Sequence, residues 1–385
     1  MYVVFVDNEV WESMNVGFVI GSLGRGGAEL QLVQLATGLH ERGHSVSVIA
    51  YDAPGQLDEA VRAAGVTFVA ERADTRMAKV RLVRAWMRAS RINVVHAFLS
   101  RPSVVALAAR MPARRPAVVV TDFSSATYQA HIPSARLVLG LYALADAVVT
   151  ETETNHDSLK RVAPWLRRKI HVVRNGLDLH RFSPTEKGPS VSVPPFVFCV
   201  VGTVSAVKNP FGVIAALATL RGRQVPPFRV DWYGRSDVGG GVDFEDVRAA
   251  VAAANLSDVI TFRGDISNIE AAYRGSHALL HASVREGFPN AVAEAMACGL
   301  PIVVSRVSDL PLAVELAANG LVFDEKKPSA IADAMERMLR MRDDERRLMG
   351  RRSRELAERW FARDLFLDKY EALYAKLAVV ADRGE

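Results

Sequence analysis

Short apolar runs alternate with longer amphipathic stretches along most of the chain. The first three are residues 16–20, 28–41 and 45–51, which predict a strand, a helix and a strand, with a glycine cluster between the first two. The same alternation predicts strands at 66–69, 93–97, 117–121, 147–150 and 170–173, and helices at about 76–90, 102–110, 133–143 and 154–163. Because the strands are continuous apolar runs, we expect a parallel sheet covered by helices on both faces.

A second set of the same elements follows a segment rich in Pro, Ser and Gly at 184–195, which we interpret as a linker. Beyond it we predict strands at 196–201, 228–233, 259–262, 278–282, 301–305 and 320–323, and helices at about 243–255, 267–274 and 291–298. The fold class is therefore α/β, with two doubly wound domains facing each other across a cleft. Ligands are expected at the carboxyl ends of the strands.

The predicted domain plan has five parts. They are a poorly ordered leader at 1–13, with Met14 as a candidate start, a first domain at 14–183, the linker at 184–195, a second domain at 196–359 and a final segment at 360–385. The final segment is amphipathic, and we expect it to form a helix that packs back on the first domain.

Composition narrows the class of protein. Half of the 385 residues are apolar and 24% are charged, as in soluble globular proteins, so disorder, collagen and coiled coil are excluded. The longest apolar stretch, 137–150, contains Asp146 and is shorter than the ~20 residues of a spanning helix. The start lacks the basic segment of a signal peptide, so we expect a cytoplasmic protein.

The two cysteines do not indicate a disulfide or a metal site. Cys199 and Cys298 lie in apolar segments and are expected to be buried, and no Cys/His spacing indicates a metal.

The first half of the chain is the basic half. Residues 1–185 carry 22 Lys and Arg against 16 Asp and Glu, whereas 186–385 carry 26 against 27. An anionic partner is expected, and a membrane surface or a phosphorylated substrate fits better than nucleic acid, because no basic run is interleaved with aromatic residues. In the predicted helix at 76–91, one face carries Arg81, Arg84, Arg88 and Arg91, beside Trp86. This pattern is typical of a helix on anionic lipid, although a solvated outer face explains it too.

Two acids in the second half carry the most informative pattern. Residues 281–305 predict a strand, a loop, a helix that begins near Asn290 and a stop at Gly299. Glu286 then lies in the loop and Glu294 one turn inside the helix, and carboxylates of this kind can accept hydrogen bonds from sugar hydroxyls. The free N–H groups of Asn290, Ala291 and Val292 would attract a diphosphate. The alternative is a loop acid and a solvated helix acid without a ligand.

These residues resemble a known family. Glu286 and Glu294 are separated by seven residues, with Gly-Phe-Pro after the first and Ala-Met-Ala-Cys-Gly-Leu-Pro after the second. This resembles the donor-site signature of the family 4 retaining glycosyltransferases, which have the GT-B fold. Three further segments resemble that family: its first-domain glycine loop at Gly24-Arg-Gly-Gly-Ala-Glu29, its pre-linker motif at Asn175-Gly-Leu-Asp178 with Phe182 and Pro184, and its second-domain phosphate loop at Gly202 through Lys208-Asn209.

The resemblance implies transfer of a sugar, with retention, from a nucleotide-diphosphate sugar to a hydroxyl on a glycan or lipid-linked acceptor, without a metal or other cofactor. It implies that Glu294 binds the nucleotide ribose, that Glu286 approaches the transferred sugar, and that Lys208 neutralises the leaving diphosphate. The base is expected near 264–266. The donor-binding residues implied are Gly24, Gly26, Gly202, Thr203, Lys208, Ile266, Asn290, Ala291, Val292 and Glu294.

One position departs from the family pattern. Thr203 stands where the family usually has Arg after the glycine of the second-domain loop. A hydroxyl supplies no charge, so Thr203 would give the diphosphate at most a hydrogen bond and no ion pair. Arg25 or Arg285 could compensate.

The first domain offers weaker candidates. His96 ends a predicted buried strand at its carboxyl edge, where the family often has a histidine pair near the donor sugar, and Phe98 stands at the second position of that pair. We expect His96 to orient the donor or to be a satisfied core histidine. His131 and His156 are further candidates, and Asp122 could face the acceptor or cap a helix.

Three rival functions remain open. The first is a non-catalytic relative that binds a nucleotide sugar or a glycan in a membrane assembly. The second is an epimerase or phosphorylase on the same architecture. The third, a dehydrogenase, would use the glycines at 24–27 and Asp52, but its fingerprint needs a glycine where this chain has Glu29.

Overall fold

The chain folds on two separate parallel sheets. The computed structural model describes residues 13–24, 26–52, 54–121, 132–185, 194–236 and 241–382. Unit 1 comprises the described residues up to Glu151, then His156–Val173 and the chain from Phe366 onward. Unit 2 comprises Thr152–Asn155 and Arg174–Leu365.

Unit 1 is built on seven strands in the order β3-β2-β1-β4-β5-β6-β7, and every pairing is parallel. The strands are β1 (Asn15–Ile20), β2 (Ser45–Ala50), β3 (Thr67–Ala70), β4 (Val94–Phe98), β5 (Ala117–Thr121), β6 (Ala147–Thr150) and β7 (Ile170–Val172). The helices among them are α1 (Gly27–Glu41), α2 (Asp58–Ala63), α3 (Arg76–Ala89), α4 (Ser100–Arg110), α5 (Pro133–Leu141) and α6 (Glu153–Val162). Because β1 has β2 on one side and β4 on the other, the strand order reverses between β1 and β4.

Unit 2 has six parallel strands in the order β10-β9-β8-β11-β12-β13. The strands are β8 (Phe196–Val201), β9 (Phe228–Tyr233), β10 (Ile260–Gly264), β11 (Ala278–His281), β12 (Ile302–Ser305) and β13 (Gly320–Phe323). The helices are α7 (Pro210–Arg221), α8 (Phe244–Ala253), α9 (Ile269–Arg274), α10 (Asn290–Ala297), α11 (Leu310–Ala317), α12 (Pro328–Arg340) and α13 (Asp343–Phe361). The strand order reverses between β8 and β11.

Successive residues of each strand enter different cores, because side chains alternate across a sheet. In β1, Phe18 belongs to one buried cluster and Val19 to another. In β8, Phe198 and Cys199 belong to two different buried clusters in the same way. Cys199 and Cys298 are both free thiols and buried. Both sheets are thus covered on two faces, and the predicted α/β class with two Rossmann-like parallel-sheet domains is confirmed.

The last helix, α14 (Arg363–Asp382), packs on α1 and β4 of unit 1. A Cβ at Gly38 would lie 2.6 Å from the Leu367 side chain, so this glycine allows α14 to approach α1 closely. The Arg42 guanidinium binds the carboxylates of Asp368 and Glu371. Glu371 also contacts the ring of His44, at 2.9 Å.

The structure differs from the sequence-based plan in several places. Helices α2, α7, α11, α12 and α13 were not predicted; α7 is so apolar that it shows little amphipathic contrast. Residues 174–183, which the sequence-based plan includes in the first domain, fall in unit 2, where Leu177 donates its N–H to the Phe361 carbonyl at 2.8 Å. Most of the predicted leader and linker lies outside the described residues.

Candidate functional site

Two loops of unit 2 meet where its strand order reverses. One follows β8 and the other follows β11, and these strands are neighbours in the sheet. The loops are joined by a hydrogen bond from the Val284 N–H to the Val207 carbonyl, at 2.9 Å. Ligands of open α/β sheets bind at such a reversal, at the carboxyl ends of the strands.

The first loop needs glycine at position 202. Gly202 has a φ of +142°, which side chains rarely adopt, and a Cβ there would lie 2.6 Å from Cε of Lys208. Its carbonyl also accepts a hydrogen bond from Nε1 of the buried Trp232, at 2.8 Å. Glycine therefore makes room for the lysine side chain to lie against the loop.

Lys208 and Glu286, both predicted site residues, form an ion pair. Lys208 Nζ lies 2.5 Å from Glu286 Oε1. The two side chains are only 18% and 17% exposed, so bulk water screens the pair less than it would on an open surface. Lys208 is thus a fixed cation at the reversal point rather than a mobile surface lysine.

His281, at the end of β11, is the second group beside Glu286. Its Nε2 lies 3.5 Å from Glu286 Oε1, beyond a good hydrogen bond, and its side chain is 1% exposed. Burial alone would raise the pKa of the Glu286 carboxyl, but His281 and the Lys208 charge outweigh burial and hold that pKa well below its usual value. Burial and Lys208 lower the pKa of His281, so Glu286 is ionised and His281 neutral.

Glu294 lies on α10 and does not point into bulk solvent. Its Oε2 accepts a hydrogen bond from the Tyr273 hydroxyl at 2.7 Å. Burial raises the pKa of the Glu294 carboxyl, and the Tyr273 hydrogen bond and the Arg181 charge offset part of that rise. The sequence analysis missed Tyr273, although its aromatic ring with a hydroxyl on the helix before β11 was the available signal.

The amino end of α10 differs in one respect from the expectation. The sequence predicts a free Val292 N–H, but this group donates to the Pro289 carbonyl at 2.9 Å and is therefore not free to bind an anion. The N–H groups of Asn290 and Ala291 have no acceptor among the described residues. The Asn290 side chain accepts a hydrogen bond from Asn175 Nδ2 at 3.0 Å, a partner that the sequence analysis did not identify.

The remaining predicted donor residues of unit 2 lie around these loops. Thr203 follows Gly202 and is half-buried, and Ile266 follows β10 and is also half-buried. Gly264, at the end of β10, has a φ of +72°, which suits glycine at that turn. Arg285 is half-buried next to Glu286, and compensation for Thr203 by this residue stays a prediction.

His96 is placed differently from the expectation. It lies in the middle of β4, with no exposed surface, and Nδ1 contacts the Tyr374 hydroxyl at 2.6 Å while Nε2 contacts the Thr121 hydroxyl. Burial lowers the pKa of His96 to about 3. A fully enclosed ring with both nitrogens engaged has no atom left for a donor, so the role in orienting the donor is corrected to that of a core histidine. Phe98 is buried beside it.

The other candidates of unit 1 are only partly described. Gly24 lies in the loop after β1 and Gly26 precedes α1; their role in donor binding stays a prediction. His156 lies on α6 against Asp157, at 3.2 Å. Arg25, Asp122 and His131 lie outside the described residues.

Helix α3 does not have the predicted interfacial arrangement. Trp86 is buried in the core under β1, not beside a basic surface, because its ring occupies the space left by Gly17. Arg84 donates hydrogen bonds to the carbonyls of Ala108, Ala109 and Met111 and so caps α4. Exposed arginines remain on α3, but the tryptophan that suggested lipid contact is not available for it.

Membrane-spanning helices and metal-binding clusters are absent from the described part of the chain. No helix there is long and apolar enough to cross a membrane. No group of three or more His, Cys, Asp and Glu side chains in those residues has an arrangement suited to a metal ion.

Comparison with known proteins gives matches along most of the chain. Residues 25–181 match the family model described as Glycosyltransferase Family 4, and residues 185–356 match Glycosyl transferases group 1. The D-inositol 3-phosphate glycosyltransferase of Corynebacterium jeikeium is 28% identical over 252 residues, 63% of this chain and 60% of that protein. The enzyme of the same name from Saccharomonospora viridis is 30% identical, over 60% of this chain and 57% of that protein. The matched part of the chain thus spans about three fifths of these relatives.

Among solved structures, Anabaena HepE in complex with UDP superimposes with a TM-score of 0.81 at 18% identity, covering 94% of this chain and all of HepE. At that identity the likeness shows the fold. With both halves matched by family models and the fold shared with HepE, the chain belongs to the family 4 glycosyltransferases of the GT-B fold.

Proposed function

We propose that this protein transfers a sugar, with retention of configuration, from a nucleotide-diphosphate sugar to a hydroxyl group of a glycan or lipid-linked acceptor. Family membership supports sugar transfer, the UDP bound to HepE supports a nucleotide donor, and the relatives named for D-inositol 3-phosphate support a hydroxyl acceptor. We place this activity in the cytoplasm, at the inner face of the membrane when the acceptor is a lipid.

The ion pair between Lys208 and Glu286 is the observation that carries the proposal. A departing diphosphate gains negative charge as the glycosidic bond breaks, so a cation fixed at that point stabilises the transition state more than the ground state. Lys208 supplies this cation, and the N–H groups of Asn290 and Ala291 supply a helix amino end for the same anion.

The two carboxylates hold the donor on either side of the diphosphate. Glu286 is ionised and fixed, so it can accept hydrogen bonds from hydroxyls of the transferred sugar. Glu294 is oriented by Tyr273 and accepts from the ribose hydroxyls. The base is held near Gly264 and Ile266 through the backbone.

We further propose that the departing phosphate accepts the proton of the attacking hydroxyl on the same face of the sugar, which gives retention. With Lys208 as the counter-charge, transfer needs no metal. Nuclear magnetic resonance of the first-formed product would show the anomeric configuration of the donor, and turnover would persist in EDTA. An inverted product, or activity restored only by a divalent cation, contradicts these two points.

The decisive experiment compares Glu286→Gln with Glu355→Gln, an exposed glutamate on α13. Purified proteins are supplied with a panel of nucleotide sugars and with glycan and lipid extracts, and transfer is measured at saturating donor. We expect Glu286→Gln to abolish transfer while Glu355→Gln behaves as the parent. Wild-type turnover by Glu286→Gln would overturn the assignment. A parent protein that binds nucleotide sugar without transfer, or isomerises it, would favour the non-catalytic or epimerase alternatives.

A further inference from the structure

Unit 1 has a cavity where its own strand order reverses. It occupies about 900 Å³ at the carboxyl ends of β1, β2 and β4, within the size range of small-molecule sites. Its lining comes from the loop after β1, from the end of β2 and from α1, α3, α4 and α5. The reversal point is where open α/β sheets bind ligands, so this cavity has both the size and the position of a binding site.

Part of the cavity lining carries positive charge. Arg76, Lys79 and Arg101 line it, together with two acids, Glu29 and Asp52. Lys79 is already paired with Asp52, and its ammonium lies 4.9 Å from the centre of the Tyr51 ring. Neither arginine has an ion-pair partner among the residues that the structure describes.

Glu29 does not neutralise the arginines. Its carboxylate lies against the backbone of Gly26, at the amino end of α1, where the helix dipole favours a negative charge. With Asp52 held by Lys79, both acids of the cavity have a local electrostatic partner. The two guanidiniums therefore leave an excess of positive charge for a ligand.

Most of the remaining lining is apolar. Pro102, Val105 and Ala108 line it from α4, Val80 from α3 and Val138 from α5. Leu99 lines the same cavity and is 36% exposed, with a φ of +74°. A ligand that satisfies only the arginines would leave this wall in water, whereas an attached hydrocarbon would cover it.

We propose that this cavity binds an amphiphilic phosphate ester, with the phosphate at Arg76 and Arg101 and an apolar portion along α4. Guanidinium groups match phosphate oxygens in a bidentate manner, and an adjoining apolar wall selects esters that carry hydrocarbon. That this ligand is the sugar acceptor rests on the proposed function, but its binding does not.

Isothermal titration of the full-length protein with dodecyl phosphate, below its micelle concentration, tests the site without any nucleotide. Inositol 1-phosphate supplies the anion without hydrocarbon, and dodecyl maltoside supplies hydrocarbon without charge. We expect one dodecyl phosphate per chain and at least tenfold weaker binding of the other two. Equal binding of inositol 1-phosphate would overturn the amphiphilic ligand in favour of a soluble phosphate, and equal binding of dodecyl maltoside would overturn the phosphate.

Two kinds of variant then locate the site. Arg76→Gln with Arg101→Gln should weaken dodecyl phosphate binding by roughly ten- to hundredfold. Ala108→Phe should do the same by filling the apolar side. The matched control, Arg81→Gln with Arg88→Gln, removes two exposed charges from α3 outside the cavity lining.

The thermal midpoint of each variant shows whether it is folded. If either the arginine double variant or Ala108→Phe fails to fold, the other still tests the site. Undiminished binding by a folded double variant, or an equal loss in the control, would overturn the proposal. Failure of the parent protein to bind nucleotide sugars would count against the proposed function alone, because the titration contains no nucleotide.

Discussion

In both sheets the strand order reverses between the first and the fourth strand of the unit, yet the charged side chains at the two reversal points are arranged differently. In unit 2, Lys208 and Glu286 are paired with each other across neighbouring loops, and Gly202 gives the lysine its position. In unit 1, the side chains Arg76 and Arg101 line an open cavity beside an apolar wall. The charged side chains of unit 2 are held in place by each other without a ligand, whereas the two arginines of unit 1 have no ion-pair partner among the described residues.

The difference has a physical meaning. Groups that stabilise charge developing in a transition state act best when they are fixed in advance, as Lys208 is. A surface that recognises an acceptor needs shape, charge and apolar area, and these vary with the acceptor. The fixed edge of unit 2 should then control turnover, and the core of unit 1 should be independent of it.

The largest effect is expected for Lys208→Met. Loss of the cation removes the counter-charge for the leaving diphosphate, and kcat should fall about 100- to 1,000-fold, as for other preorganised groups. Steady-state turnover at saturating donor measures this, with Lys327→Met, whose side chain is 70% exposed, as the control. A kcat within tenfold of the parent would mean that another group carries the charge.

Gly202→Ala should displace Lys208 by changing the loop against which its side chain lies. The new Cβ would press on the Lys208 side chain, 2.6 Å from Cε, at a φ of +142°, a conformation that costs roughly 1–3 kcal/mol. We expect kcat to fall about tenfold or more. Gly222→Ala is the matched control, because its Cβ would meet only ordinary contacts at 3.5 Å. Equal behaviour of the two variants would show that the loop tolerates a side chain.

Much of the fixed edge could be predicted from the sequence, since Glu286, Glu294 and Lys208 all stand in recognisable local patterns. Their partners could not. Lys208 meets Glu286 because β8 and β11 are neighbours, and strand order is a property of the whole sheet. Tyr273 reaches the site from α9, outside any of the recognised motifs. Asn175 stands in the pre-linker motif, but that motif carries no information about its contact with Asn290, 115 positions later.

For His96, the sequence predicts burial correctly but not the position of the side chain in the sheet. Its segment predicts a buried strand correctly, but the strand continues to Phe98, so the histidine lies inside the sheet rather than at its end. The residue that then covers it, Tyr374, lies 278 positions later in α14. Local pattern predicted burial but gave no information about which helix would close over the ring.

Glu294→Gln should have a smaller effect, mainly on donor binding. An amide has one acceptor oxygen where the carboxylate has two, so we expect the KM for donor to rise about tenfold, with kcat changed less. Because burial raises the pKa of Glu294, donor affinity in the parent should also weaken as pH falls through that raised pKa. The variant lacks this titration. An unchanged KM and an identical pH profile would place the ribose elsewhere.

The smallest effect on catalysis is expected for His96→Gln, which tests the independence of the unit 1 core. The ring is neutral in the folded chain, with a pKa of about 3, and gains a proton below about 6.5 once unfolded. The unfolded state therefore binds more protons, and the stability that this histidine contributes is lost as pH falls from about 6.5 towards 3. At pH 5 the loss amounts to about 2 kcal/mol.

His96→Gln should remove this dependence, so that its thermal midpoint falls less between pH 7 and pH 5 than that of the parent or of His156→Gln. The kcat of the folded variant should stay within about twofold, since the ring has no exposed atom through which to touch a donor. A large loss of kcat at an unchanged thermal midpoint would restore His96 to the site. It would also mean that the two edges are not independent, because a residue of the unit 1 core would then control a reaction that Lys208 and Glu286 are proposed to carry out.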